Sequence, residues 1–253
     1  MKWFTIVTNR PVLDAGCNNT IKRHHSSHVT MCKIYLVNPH LSHTEDKNLF
    51  SNRASSVDNQ STSSLQEDTV EFLYNLIGDN TKFHIVSSPH RNCLQMAGIL
   101  SERNHTVVKI SNAFSGMDLG EWKGKKEESI RKVDQNRLDH WTEDANFPSP
   151  GGESLSDVSR RCWPELVSTV QQLHSDEHLV LFAPFEIIAV LTCSLLHAPL
   201  TALHKMTLSE GGLVIYKKNP SGNYQLYSWN LQKGGMEIKT AETREMSESA
   251  TVG

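Results

Sequence analysis

Leu179-Val180-Leu181-Phe182-Ala183 is the stretch of sequence that decides the fold. An uninterrupted apolar run of this length is typical of a strand that is buried on both faces of a parallel sheet. Three further short runs, rich in β-branched and aromatic residues, predict strands at 33–37, 82–88 and 106–110. We therefore expect a sheet that other elements cover on both faces.

Apolar residues at spacings of three and four predict helices between these strands. The expected ranges are 65–77, 93–100, 127–141, 154–173 and 187–196. Ser154 follows a Pro/Gly breaker, and its hydroxyl is expected to cap the fourth helix. A closing hairpin is predicted from 212–216 and 224–229. This succession indicates an α/β fold with three layers (α/β/α) and a mainly parallel central sheet.

The chain of 253 residues divides into three predicted parts. Residues 1–32 are polar and irregular and form a predicted N-terminal extension. Residues 33–232 form one α/β domain, in which the Ser- and Asn-rich stretch 51–64 is predicted to be a long loop. Residues 233–253 are poor in apolar side chains and are predicted to be a disordered tail.

Composition and charge exclude two classes of partner. With 25 basic and 28 acidic residues the chain lacks the basic excess of nucleic-acid-binding proteins. No apolar run approaches the ~18 residues that a membrane span needs, and the N-terminus lacks the apolar core of a secretory signal. The five cysteines are scattered, which suits reduced thiols. We expect a cytoplasmic protein that has no metal or other cofactor and that binds a protein partner or a small ligand. A monomer and a homo-oligomer both fit the sequence.

The ligand site of such a sheet is expected just beyond the carboxyl ends of its strands. At these places the sequence reads Asn38-Pro39-His40, Pro89-His90-Arg91-Asn92, 111–120 and Pro184-Phe185-Glu186. The chemistry of the protein is therefore sought in these four segments.

Short motifs in a fixed order along the domain connect it with a known family. They are Ile34-Tyr35-Leu36-Val37, Ser87-Ser88-Pro89 with Gln95-Met96-Ala97, Leu119-Gly120-Glu121-Trp122-Lys123-Gly124, Pro150-Gly151-Gly152-Glu153-Ser154-Leu155 with Arg161, and Leu195-Leu196-His197-Ala198-Pro199-Leu200. Together they resemble the motifs of the phosphoglycerate mutase-like, or histidine phosphatase, superfamily. The resemblance runs from Lys33 to about Trp229 and implies the family's α/β fold.

The resemblance also implies a phosphoryl-transfer mechanism. In the family, a histidine after the first strand attacks phosphorus, two arginines and a second histidine hold the phosphoryl oxygens, and an acidic residue protonates the leaving group. The nucleophile is a neutral imidazole nitrogen, and the fixed cations offset the charge of the equatorial oxygens.

The family's functional positions fall here on residues that cannot play those roles. The first arginine falls on Asn38, the nucleophile on Pro39, the second arginine on Asn92, the acid on Gly116 and the second histidine on Pro184. Proline offers no nucleophile, and asparagine supplies a neutral amide where the chemistry needs a charge. The sequence therefore predicts a catalytically degenerate pseudo-phosphatase that serves as a binding or regulatory module.

An alternative is a phosphomonoesterase or phosphomutase with a rewired site. His40 lies one residue beyond the nucleophile position, His90 follows the second strand, and Glu186 follows the fourth. Facing the same cleft, these side chains would act as acid and base or hold a metal. In the opposing interpretation the histidines are ordinary loop residues in a chain that has 13 of them.

Overall fold

The computed structural model describes residues 32–40, 62–219 and 222–234. The predicted extension before Cys32, the predicted tail after Gly234 and residues 51–61 of the predicted loop lie outside the described residues. Elements are numbered here in chain order. The strands are β1 (Lys33–Val37), β2 (Phe83–Ser87), β3 (Val108–Ile110), β4 (His178–Phe182), β5 (Leu213–Lys218) and β6 (Tyr224–Leu231). The helices are α1 (Thr62–Ile77), α2 (Arg91–Asn104), α3 (Glu127–Glu143), α4 (Leu155–Gln171) and α5 (Phe185–Leu195).

The strands form one mainly parallel sheet in the order β3-β2-β4-β1-β5-β6. β3, β2, β4 and β1 run parallel, whereas β5 is antiparallel to β1 and β6 is antiparallel to β5. Every residue of β4 is buried, as its apolar sequence predicts. β5 and β6 are the predicted closing hairpin, so the predicted fold class is confirmed.

Alternate side chains of the strands point into two separate cores. Val37, Val180 and Phe182 pack with side chains of α1 and α2 on one face. Leu36, Leu181 and the side chains of α3, α4 and α5 fill the other face. This is the predicted three-layer arrangement. None of the helices in the described ranges has an apolar stretch long enough to cross a membrane.

The helices differ from the sequence-based expectation at several points. α1 begins at Thr62, so the end of the predicted loop 51–64 is helical. α2 begins at Arg91, because the Ser88 hydroxyl accepts a hydrogen bond from the His90 N–H (3.2 Å) and closes the turn before the helix. α3 is interrupted at Asp134, which has non-helical dihedral angles (φ −148°, ψ 65°) that the spacing of apolar residues did not predict.

Ser154 caps α4, as the sequence predicts. Its hydroxyl accepts a hydrogen bond from the Asp157 N–H (3.1 Å), and the Asp157 carboxylate accepts one from the Ser154 N–H (3.1 Å). This reciprocal capping box satisfies two backbone donors that a helix start otherwise leaves unpaired. It fixes the first turn of α4 directly after Glu153.

Ser154→Ala is expected to lower the free energy of unfolding by about 1 kcal/mol, because the substitution removes the hydroxyl that caps the Asp157 N–H. Urea denaturation measures the difference. Ser168→Ala, at an exposed position inside the same helix, is the matched control and should leave stability unchanged within about 0.5 kcal/mol. Equal losses in the two variants would show that the cap contributes nothing.

Candidate active site

The carboxyl ends of β1, β2 and β4 lie side by side at one edge of the sheet. Val37 and Ser87 are both in register with Phe182. Beyond the strands, the Ala183 N–H donates to the Val37 carbonyl (3.2 Å), and the Ser88 N–H donates to the Phe182 carbonyl (2.9 Å). The segments that follow these three strands therefore start from one place, where the sequence predicts the site.

Asn38 holds the turn that precedes β5. Its side-chain amide donates to the Ser209 carbonyl (3.0 Å). Its backbone carbonyl oxygen accepts a hydrogen bond from the Gly211 N–H (2.9 Å). The side chain is buried, as is Pro39. Asn38 and Pro39 therefore pack into the protein, and Asn38 connects the end of β1 with the turn before β5.

His40 is a packed histidine that connects the end of β1 with α1. Its Nε2 lies 2.9 Å from Thr69 Oγ1, and its carbonyl oxygen accepts a hydrogen bond from the Gln66 side chain (3.3 Å). The ring also lies against Gly211. Burial lowers the pKa of His40 below its ordinary value of 6.5, so the imidazole is neutral near pH 7.

His90 and Asn92 lie at the start of α2 and differ in exposure. Asn92 is fully buried, whereas His90 is partly exposed and Arg91 is exposed. The first turn of α2 contains no acidic residue. A helix start without an acidic residue favours an anion near its first turn.

Glu186 brings a carboxyl group to the position that the family's acid is expected to occupy. A Cβ atom on Gly116 would lie 3.0 Å from Glu186 Oε1 and 3.8 Å from the ring of Pro184. The same oxygen accepts a hydrogen bond from the Met117 N–H (3.2 Å). The side chain is 3% exposed, and its burial raises the pKa above the ordinary value of 4.5. A carboxyl group thus lies beside Gly116, although it belongs to another element.

The three residues of the predicted rewired site have different surroundings. Hydrogen bonds hold His40 to α1, and Glu186 is held to the turn at Met117. Within residues 32–40, 62–219 and 222–234, no group of three His, Cys, Asp or Glu side chains could hold a metal ion. The described residues therefore do not support a metal site made of His40, His90 and Glu186. The other role that the sequence predicts for these side chains is acid–base chemistry.

Arg161 and Glu153 form a partly buried ion pair that the sequence did not predict. The guanidinium meets both carboxylate oxygens, at 2.8 and 2.9 Å. It also donates to the carbonyls of Ala113 (2.8 Å) and Gly116 (3.2 Å). Both residues belong to the best-matching motif, which is the signal that singled them out, but contacts with a distant loop cannot be derived from a motif.

The chain also matches a known family along most of the described domain. Residues 67–232 match the model of the histidine phosphatase superfamily (branch 1). The chain belongs to this superfamily. The resemblance inferred from the motifs is thereby confirmed. The matched range begins inside α1, so β1 and the segment Asn38-Pro39-His40 precede it.

Similar histidine phosphatases include two groups of enzymes. The glucosyl-3-phosphoglycerate phosphatase of Mycobacterium tuberculosis is 30% identical over 166 residues, which are 62% of this chain and 74% of the relative. A 2,3-bisphosphoglycerate-dependent phosphoglycerate mutase of Brucella melitensis is 29% identical over 109 residues, 42% of this chain and 53% of the mutase. A solved structure of the mycobacterial glucosyl-3-phosphoglycerate phosphatase superposes with a TM-score of 0.65 at 22% identity, covering 79% of this chain and 100% of that one.

These relatives contradict the prediction of a non-catalytic pseudo-phosphatase, since they bear the names of a phosphatase and a mutase. That prediction is wrong, and the rewired enzyme is the better supported of the two interpretations. A physical reason for the error is that the acid was counted as lost at Gly116, whereas Glu186 supplies a carboxyl group there. The motif assignments of Asn38, Pro39, Asn92 and Pro184 stay predictions.

Proposed function

We propose that this protein is a phosphomonoesterase whose site at the carboxyl edge of the sheet uses Glu186 as proton donor and His90 as base. The observation that carries the proposal is the Glu186 carboxyl group, 3.0 Å from where a side chain on Gly116 would begin. The proton donor of the reaction is then provided from α5 and no longer from the loop that contains Gly116.

Burial of Glu186 favours the protonated form that a general acid requires. Its burial raises its pKa, so the neutral carboxyl group persists to higher pH than that of an exposed glutamate. In the reaction, the bond from phosphorus to the ester oxygen breaks, and the departing oxygen takes the proton of Glu186. This proton transfer matters most for alkyl esters, whose alkoxides are poor leaving groups.

His90 supplies the base that the same reaction needs. The water oxygen forms the new bond to phosphorus while the imidazole of His90 takes a proton from the water. His90 is the partly exposed histidine at this edge, whereas His40 is buried against Thr69. His40 acts as a positioning residue between the end of β1 and α1, since its ring and its backbone carbonyl both contact side chains of α1.

The substrate class follows from the relatives and from the charges at this edge. The related phosphatase takes its name from glucosyl-3-phosphoglycerate, the phosphate ester of a small glycosylated hydroxy acid. Asn38 and Asn92 are neutral where the family pattern has arginines. We therefore assign to this protein a monophosphate ester of a small polar molecule, with fewer negative charges than a bisphosphate.

The experiment is a phosphate-release assay on the purified full-length protein, with p-nitrophenyl phosphate, 3-phosphoglycerate and glucosyl-3-phosphoglycerate, each with and without EDTA. We expect saturable release that persists in EDTA and is lost in His90→Gln. His84→Gln is the matched control, since His84 is exposed on β2 and pairs with Glu177 (3.0 Å). No release above background, or equal release by His90→Gln and the wild type, would refute the proposal.

A further inference from the structure

The ion pair between Arg161 and Glu153 joins α4 to the loop beside Glu186. Arg161 projects from the second turn of α4, and Glu153 precedes the Ser154 cap of the same helix. Both side chains are 25% exposed, and the two charge-assisted hydrogen bonds form the planar fork that arginine makes with carboxylates. Such a pair has a well-defined geometry and can hold other groups in place.

The same two side chains hold the loop at several points. Arg161 donates to the carbonyls of Ala113 and Gly116, and Glu153 accepts a hydrogen bond from the Asp118 N–H (2.9 Å). Between these attachments lies Met117, whose N–H donates to the Glu186 carboxyl group. The ion pair therefore holds the loop backbone on one side. On its other side, the loop contacts Glu186 through the Met117 N–H.

We propose that Arg161 and Glu153 are positioning residues that fix the loop from Ala113 to Asp118 and thereby orient the carboxyl group of Glu186 for proton transfer. The proposal rests on the proposed function in its last step only, since the effect of the ion pair on the titration of Glu186 can be measured without turnover. Arg161 acts through the loop, so neither residue needs to touch the substrate.

The charges around Glu186 support a balanced role for the pair. The titratable groups that face it are Arg161 and Glu153 from the ion pair and Cys93 from α2. Burial raises the pKa of Glu186, Arg161 lowers it, and Glu153 raises it. Burial and the neighbouring Glu186 raise the pKa of the Cys93 thiol, which therefore stays neutral. Glu153 thus acts on the pKa of Glu186 in the direction opposite to Arg161, while burial is the largest influence.

The test is the titration of Glu186 in the full-length protein by infrared spectroscopy, which detects the C=O stretch of a protonated carboxyl group. The band of Glu186 is identified by its absence in Glu186→Gln. We expect Arg161→Met to move the titration to higher pH and Glu153→Gln to move it to lower pH. The opposite signs exclude a general loosening of the fold, which would shift both variants toward the ordinary pKa.

Arg160→Met is the matched control, because Arg160 is the exposed neighbour that pairs with Asp157 (2.6 Å). It should leave the titration and the activity unchanged. Arg161→Met should also lower kcat by about 100-fold, the effect of a misplaced catalytic group, with little change in KM. Unchanged titration in both Arg161→Met and Glu153→Gln, or shifts of the same sign, would overturn the positioning role.

The outcomes separate this proposal from the proposed function. Opposite titration shifts in a protein that releases no phosphate would support the coupling of Glu186 to the ion pair and refute the phosphatase. Phosphate release by a protein whose Glu186 titrates independently of Arg161 would support the phosphatase and refute the positioning role.

Discussion

Glu186→Gln is expected to lower kcat/KM for an alkyl phosphomonoester by about 10²–10⁴-fold, the usual contribution of a general acid. Glutamine has nearly the same shape and keeps an oxygen that accepts the Met117 N–H, but it has no proton to donate. The loss should be much smaller for p-nitrophenyl phosphate, whose leaving group needs no proton. The ratio of the two rates measures the role of the acid, with Glu102→Gln, at an exposed position on α2, as the control.

The same substitution is expected to change the pH dependence of activity. The proposed reaction requires protonated Glu186, so the wild-type kcat/KM should fall as pH rises through the raised pKa of this group. Glu186→Gln has low activity and no such alkaline decrease. A variant that keeps full activity on alkyl esters, or the same alkaline limb as the wild type, would exclude Glu186 as the proton donor.

Stability should depend on pH through the same group. A pKa that is higher in the folded than in the unfolded chain means that the neutral carboxyl group stabilises the fold at low pH. This contribution is fully present below the ordinary value of 4.5 and is lost as pH rises through the folded pKa. Thermal unfolding should therefore show a Tm of Glu186→Gln that exceeds the wild-type Tm increasingly at alkaline pH. An equal Tm difference at every pH would contradict the buried, protonated state.

Gly211→Ala is expected to destabilise the protein by about 2–4 kcal/mol. The residue has φ +70°, where an alanine costs about 1 kcal/mol. Its Cβ would lie 2.3 Å from His40 Nε2 and 2.9 Å from Thr69 Oγ1, and relieving such overpacking costs about 1–3 kcal/mol. The His40 ring must then leave Thr69, which breaks one of the contacts between the end of β1 and α1. Urea denaturation measures the loss.

Gly124→Ala is the matched control for the backbone contribution. Gly124 has a similar dihedral angle (φ +73°), but a Cβ there would meet no atom within 4 Å. Its replacement should cost only about 1 kcal/mol. Removing the clash partner with His40→Ala should reduce the cost of Gly211→Ala, as a double-mutant cycle would show. Equal losses at Gly211 and Gly124 would mean that the His40 ring adjusts freely.

Local patterns were sufficient to predict most of the fold. The apolar run 179–183 places β4, and Ser154 with Asp157 marks the start of α4, because strand burial and helix capping depend on neighbouring residues. The Asp134 interruption of α3 was not predictable in this way. Its apolar neighbours keep helical spacing on both sides, so periodicity alone indicates a continuous helix.

The site was predictable in its location but not in its contacts. The segments after β1, β2 and β4 do lie side by side, since the carboxyl ends of parallel strands lie at one edge of a sheet. Glu186 was predicted as a site residue, but its place beside Gly116 was not, because Glu186 and its hydrogen-bond donor Met117 are 69 positions apart. Likewise, nothing near His40 in the sequence indicates that Thr69 holds its ring. Side-chain contacts between distant segments depend on packing, which periodicity does not encode.

The place of β1 in the sheet has a consequence for how the chain folds during synthesis. β1 is the first described strand to leave the ribosome, yet Ile34 pairs with Leu179 on one side and Tyr216 on the other. Its apolar residues have no partner strand until β4 is translated, more than a hundred residues later. Pairings so distant along the chain slow folding and leave apolar segments open to chaperones and to aggregation. β1, the strand that leads into the candidate site, is therefore expected to be among the last to pair stably in the nascent protein.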